Sequence, residues 1–585
     1  MKHLYQGITL LLLLIIQIGC NSENASNNQQ GSEKEVILKS ANGLYGFLCT
    51  AKPTDGDWYL TDENAPLFSG LGNLTYPVTT NNIDAQKYFD QGLILSYAFN
   101  HAEAARSFYT AIKKDTSCAM CYWGYAYVLG PNYNAGMEDD NYQRAYDAMQ
   151  KAMQLAEAAS QKEQDLIDVM SSRYTADPPE NRYSLDSTYS KGLEILINKY
   201  PDDVNIAALY AESLMNMHPW DLWDKSGNPK EWTPSILKAL EHVIKLDPEH
   251  PGGHHFYIHA VEASFEPQRG LNSAKVFENG LVPNSGHLMH MPSHIYIRTG
   301  DYHSGSLSNI NAVAVDSAYT TTCHAQGAYP LAYYPHNYHF LSATATLEGN
   351  SRLALHAAEV TSRLSHKILM KEPGWGTLQH YYTIPYFVMV KFAKWNQILK
   401  KDEETVELVY PRAVRHYARG MAFLGIGEVE KAEYELKQLV EISSDEALEE
   451  ITIWEINTAT DLIAIAINVL EGEIAAKNLN YDTAIQKLTR AVEIEDSLNY
   501  NEPPDWFFSV RHNLATVLIE AGSLEDAIEV LQQDLKNFPE NGWALSGLTR
   551  PYHDTEQELL WNEYKERFFR AWEHADVALK HSKVQ

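Results

Sequence analysis

Positive charge is in short supply: 46 lysines and arginines face 76 aspartates and glutamates, a formal net charge of −30 over 585 residues. Such a surface repels phosphate backbones and anionic membrane faces, so charge argues against nucleic acid as a partner. Known catalytic signatures are missing too. The chain has no HExxH or other metalloenzyme motif, no GxSxG, no phosphate-binding glycine loop and no identifiable pair of catalytic carboxylates. Cysteine is scarce, with five copies. The CxxC of Cys118 and Cys121 opens a predicted helix and lacks the strand context of a thioredoxin-like redox site, which leaves structural cysteines or one local disulfide.

What is abundant is apolar and aromatic surface. Hydrophobic residues make up 45% of the chain, with 36 tyrosines and 12 tryptophans, enough for a large core in which helix should dominate. Four stretches share one spacing: a small residue, an alanine twelve positions on and a bulky apolar residue four further. They are Gly92, Ala104, Phe108; Gly420, Ala432, Leu436; Gly472, Ala484, Leu488; and Ala515, Ala527, Leu531. A small residue in one helix lets the next cross closely, and the alanine and large residue lock the pair. Leu-Asp-Pro at 246–248 and Asn-Phe-Pro at 537–539 supply closing prolines. The pattern resembles the tetratricopeptide repeat, whose period is about 34 residues. The expected fold is all-α: a solenoid of tetratricopeptide-like helix pairs that buries a continuous seam.

The N-terminus reads as an address. Lys2 and His3 precede an apolar run from Ile8 to Ile18, shorter than a bilayer span, and Gly19-Cys20 follows. This resembles a bacterial lipoprotein signal, with residues 1–19 removed and Cys20 lipidated; Gln17 stands where the pattern usually has leucine. Residues 20–35 hold nothing that builds a core and are expected to be a disordered tether. Residues 36–81, rich in Gly, Pro, Thr and Asn, are expected to form an irregular segment against the first repeat. A helical repeat region is expected over 82–390 and a C-terminal array over 408–585. Two long inter-helix loops stand out, GPNYNAGMEDDN from Gly130 and HPWDLWDKSGNPKEW from His218; long loops on solenoids often carry function.

Chemistry concentrates in the middle of the chain. In HHFYIHAVEAS, His255, His259 and Glu262 are spaced to share one helical face, with His254 turned away. In GHLMHMPSHIYIRTG, Pro292 disfavours helix at Met291, so a helix is expected to begin at Pro292, with His294 on its first turn and His287 and His290 in the loop before it. In YYPHNYHFLSA, His336 and His339 follow Pro335 at a third helix start. If these are the first helices of consecutive pairs, neighbours about 8–10 Å apart bring their histidines to one site. The candidate metal ligands are His255, His259, Glu262, His290, His294 and His336, with zinc and copper both admissible and Met289 and Met291 as softer neighbours. The competing reading is that such histidines only bond backbone carbonyls within a tight helical seam. Asp221 beside Trp220 and Trp223, and Asp505 beside Trp506, form weaker, sugar-like arrangements.

The blocks YFDQGLILSYAFNHAEAARSF, CAMCYWGYA, HHFYIHAVEAS, GHLMHMPSHIYIRTGDY, PHNYHF and NEPPDWFFSVRHNLA resemble a broadly distributed bacterial family of tetratricopeptide proteins, over most of residues 65–550. The resemblance implies a helical array and no established reaction. The chain also resembles lipoproteins of the Bacteroidota type, which implies outer-membrane anchoring and an accessory place beside polysaccharide uptake. The functional expectation is a lipid-anchored interaction scaffold whose concave groove takes an envelope protein, a peptide or a glycan-processing component. The alternative is a metal-binding protein or metal-dependent enzyme built on the histidines.

Overall fold

The computed structural model describes residues 56–177, 179, 181–323, 329–401, 407–506 and 508–584. Cys20, Cys49, the expected signal and tether, and residues 36–55 of the expected irregular segment lie outside them. The fold is an array of antiparallel helix pairs: α1 Ile83–Tyr97 with α2 His101–Lys114, α3 Ala119–Leu129 with α4 Asn141–Leu155, α5 Gln161–Ser171 with α6 Tyr183–Lys199, and α7 Val204–Met217 with α8 Thr233–Leu246. Next come α9 Pro251–Glu262 with α10 Leu271–Glu278, then α11 Gly286–His290 and α12 Pro292–Thr299 with α13 Tyr302–Cys323. Further along are α14 Tyr334–Leu347 with α15 Ser351–Leu364, α16 Gly376–Lys391 with α17 Trp395–Lys400, and α18 Val409–Gly425 with α19 Val429–Ile442. A turn, α20 Ala447–Glu450, and a hairpin of β1 Thr452–Ile453 with β2 Asn457–Thr458 precede α21 Ala459–Lys477 and α22 Tyr481–Ser497. The array closes with α23 Arg511–Ala521 and α24 Leu524–Asn537, α25 Gly542–Asp554 and α26 Glu558–Ala571, and a hairpin of β3 Leu579–Lys580 with β4 Lys583–Val584.

Local signals explain the helix ends. Asn82 and Asp203 accept backbone N–H groups at the starts of α1 and α7, and Ser160 with Glu163 forms a reciprocal cap on α5. Leu246 and Asn537 end α8 and α24, two residues short of the closing prolines. The repeat spacing has a direct packing meaning. A Cβ on Gly92 would lie 2.9 Å from the Phe108 ring, and one on Gly472 would lie 2.7 Å from Leu488, so each partner fills the notch its glycine leaves. Ala104, Ala432, Ala484 and Ala527 are fully buried.

Residues 61–81 run as irregular chain tied to α1: Phe68 N–H donates to Gln91, Tyr76 N–H to Asp90, and the Tyr88 hydroxyl to the Ala65 carbonyl. Cys118 and Cys121 form a disulfide at the start of α3. Among the described residues no helix is long and apolar enough to cross a membrane.

One local expectation fails. The chain is already helical at Gly286–His290, so His287 and His290 stand on a helix and not in a loop. Ser285 caps this turn by accepting the Leu288 N–H, and Met291 stays in the right-handed helical region at φ −52° and ψ −35° despite the proline after it. The cap and the seating of Met291 in the apolar core outweigh the pre-proline preference.

Candidate metal centre

Helices α9, α11 with α12, and α14 are the leading helices of three consecutive pairs, and their inner faces meet. His255, His259, Glu262, His287, His290, His294 and His336 are all buried. Ring centroids of His259 and His294 lie 5.4 Å apart, those of His290 and His294 4.7 Å, and those of His290 and His336 4.9 Å. His254 turns away, as its helical position requires, to Ser273 and the Pro248 carbonyl. His339 faces a different neighbour, His380, at 5.6 Å.

Hydrogen bonds fix which nitrogen of each ring looks inward. His255 Nδ1 lies 2.5 Å from the Tyr97 carbonyl, which can only accept, so the proton is on Nδ1. His259 Nδ1–H donates to Glu262 Oε1 at 2.7 Å and His294 Nδ1–H to Glu262 Oε2 at 2.5 Å. His290 Nδ1–H donates to Asn309 Oδ1 at 2.8 Å, and the Asn309 amide is oriented by donating its own N–H to the Gly305 carbonyl. Each of these four rings donates from Nδ1 and turns Nε2 to the interior, where the Nε2 atoms of His255 and His287 lie 3.1 Å apart. The His290 and His294 Nε2 atoms come within 2.8 Å of one another, and His259 Nε2 has no hydrogen-bond partner among the described residues. Two ring nitrogens at that separation share either a proton or a cation.

Three sets of side chains could hold a metal ion, the ligand atoms of each lying within 4.8 Å of one another: His255, His259, His287; His290, His294, His336; and His259, Glu262, His294. Burial lowers the pKa of His255, His287, His290 and His336 well below 6.5, reinforced by neighbouring imidazoles, which keeps them neutral as ligation requires. Burial alone would raise Glu262, but the positive charge of His294 and His259 when protonated, together with the hydrogen bonds both donate, more than offsets it and brings the carboxyl down to about 2. Both Glu262 oxygens accept Nδ1 protons, the arrangement in which a carboxylate orients metal-binding histidines.

The long loops end here. A cavity of about 30 Å³ is bordered by His259, His287, His294 and His336, and by residues from three connections: Asn134 after α3, Trp220 after α7, and Asn501 with Glu502 before α23. One water needs roughly 10–15 Å³, so the space suits a cation with a water or two. Trp220 and Trp454 hold left-handed backbone, at φ +58° and +52°, to reach the wall; bulky residues in that region are rare and concentrate at functional sites. Neither Glu502 oxygen has a hydrogen-bond partner among the described residues, and burial pushes its carboxyl up to about 7. The back wall is stiffened by Asp316, which accepts from the Tyr329 hydroxyl at 2.7 Å and Asn337 at 2.6 Å, while Tyr329 accepts the His287 N–H.

His287 stood outside the expected ligand set, although it was placed in the same expected loop as His290, which stood inside it. Sequence reasoning also missed Asn309 and the Tyr97 carbonyl, whose roles depend on contacts between distant pairs. Asn501 and Glu502 were missed as well, although they lie in the NEPPDW block beside Asp505 and Trp506. The sugar-like arrangement at Asp505 is corrected: its carboxylate is buried and accepts from Asn457 and Asn501 at 2.8 Å each. Met291 is fully buried in the apolar core.

No described protein family and no curated protein sequence matches the chain. Among solved structures, it is similar to the human IFIT1 dimer with m7Gppp-AAAA, at 13% identity over 81% of this chain and 95% of that chain, with a TM-score of 0.32. It is similar to yeast Tom70 at 10% identity, over 83% and 92% of the two chains, TM-score 0.26. The Cut9-Hcn1 hetero-tetramer of APC/C gives 12% identity, 93% and 79% coverage, and a TM-score of 0.27. With such scores, the assignment of tetratricopeptide-like pairs rests on the helix geometry described above.

Proposed function

We propose that this chain is a lipid-anchored helical-repeat protein of the bacterial envelope that holds a transition-metal centre between the leading helices of three consecutive repeats. The observation that carries the metal reading is the direction of the rings: His255, His259, His290 and His294 commit their Nδ1 protons outward and present Nε2 inward. His259 Nε2 has no hydrogen-bond partner among the described residues, and the Nε2 atoms of His255 and His290 face only other imidazoles, those of His287 and His294. An imidazole set of this kind suits zinc or copper. The residues present fit such an ion, which would be held by these nitrogens and would act as a Lewis acid toward a small ligand in the adjoining cavity.

Anchoring is supported by Cys20 after its short apolar run and before a polar tether. The outer membrane, and an accessory place beside polysaccharide uptake, follow from the resemblance to Bacteroidota lipoproteins. A second role, binding an envelope protein or peptide in the groove, is favoured by the regular pairs from Val409 to Ala571, which contribute no histidine to the centre.

Elemental analysis of the untagged full-length protein, purified without chelator, tests the metal reading. At least one zinc or copper per chain is expected, with loss of that metal in His259→Ala. Metal-free protein that neither binds added zinc(II) or copper(II) nor gains thermal stability from them would oppose it.

A further inference from the structure

The histidines divide into two complete ligand sets. In the first, His255, His259 and His287 have ring centroids 4.9 Å apart for His255 with either partner. In the second, His290 lies 4.7 Å from His294 and 4.9 Å from His336. No imidazole belongs to both trios. A single octahedral ion would need all six nitrogens within about 4.2 Å of one another, twice a zinc–nitrogen bond. Among the described residues no candidate set at a limit of 4.8 Å holds more than three ligands, and a third set, His259 with Glu262 and His294, links the two histidine trios. Three protein ligands with a fourth position left for a small molecule is the composition of a reactive zinc site, repeated here twice.

Two further features join the trios. Glu262 takes the Nδ1 proton of His259 from the first and of His294 from the second, so one carboxylate sets the orientation of both. The cavity is bordered by two histidines of each trio, His259 with His287 and His294 with His336, so it lies where the open positions of both would face.

We infer that the site is dinuclear: two late first-row divalent ions, each held by three imidazoles, with one small oxygen ligand such as water or hydroxide between them. This rests on the metal reading above and deepens it. His287, outside the ligand set expected from sequence, becomes essential, and Glu262 becomes a positioning residue between two ions and not a ligand to either.

The test is stoichiometric. Metal-free full-length protein is titrated with zinc(II) against a chromophoric chelator, and bound metal is measured after desalting. Two equivalents per chain are expected. His255→Ala and His336→Ala should each retain one, and His287→Ala should behave as His255→Ala does; folding is checked by circular dichroism, with His255→Gln and His336→Gln as alternatives if alanine prevents folding. Copper(II) loaded to two equivalents should show an electron paramagnetic resonance signal smaller than two isolated ions give, because the ions couple. One equivalent in the wild type overturns the dinuclear site while leaving the metal centre standing. No bound metal overturns both.

Discussion

Glu262 accepts the Nδ1 proton of His294 at 2.5 Å across the contact between two helix pairs, while its other oxygen holds His259 on its own helix at 2.7 Å. A buried carboxylate is costly without partners, and here its partners are the two rings that face the cavity. The interaction fixes tautomer and direction together, since a ring that donates from Nδ1 can offer only Nε2 as a ligand.

Replacing that carboxylate therefore has a defined consequence. In Glu262→Gln one oxygen becomes an N–H donor facing an imidazole that must then accept, which moves its proton to Nε2 and blocks ligation. Zinc affinity should fall about 10- to 100-fold, as for other orienting partners, with a smaller change in melting temperature. Chelator competition on wild type and variant measures it; equal affinities would show that Glu262 orients nothing.

The repeat seam gives a stability prediction. Ala484 is fully buried one turn before Leu488 on the same helix face, at the contact where Leu488 fills the notch of Gly472. Ala484→Leu should destabilise by about 1–3 kcal/mol through overpacking, and Ala432→Leu and Ala527→Leu should do likewise. Unchanged denaturant midpoints for all three would contradict the packing described here.

Acid sensitivity follows from a histidine outside the centre. Burial lowers His250 from 6.5 to about 4, while its ring accepts the Gly253 N–H as the cap of α9. Between these pH values the unfolded chain binds a proton that the folded chain refuses, so stability is full above about pH 6.5 and declines as pH falls toward 4. The contribution is on the order of 3 kcal/mol. His250→Asn keeps a capping acceptor and removes the titration, so its thermal midpoint should depend less steeply on pH over that window than wild type.

Much of this was legible in the sequence because the relevant signals are local. Glycine–alanine–leucine spacing reports a helix crossing, and His255, His259 and Glu262 announce a shared face through their spacing alone. Leading helices of consecutive pairs adjoin by construction, which put His294 and His336 within reach. What stayed hidden depends on distant segments. Tyr97 reaches His255 only because the first pair packs against α9, Glu502 arrives from a loop far along the chain, and a cap at Ser285 overrode the local rule at Pro292.

Anchoring is tested separately. Cys20→Ser should shift the protein from the membrane to the soluble fraction and abolish palmitate labelling; wild type that is already soluble and unlabelled would contradict the lipoprotein reading.

The most direct measurement is anomalous diffraction from crystals of the zinc-loaded full chain, collected on both sides of the zinc absorption edge. The account predicts anomalous peaks among the histidines, with His259 Nε2 and His294 Nε2 each about 2.0–2.1 Å from an ion. Zinc elsewhere on the surface, with these two nitrogens bound only to water or protein, would contradict it.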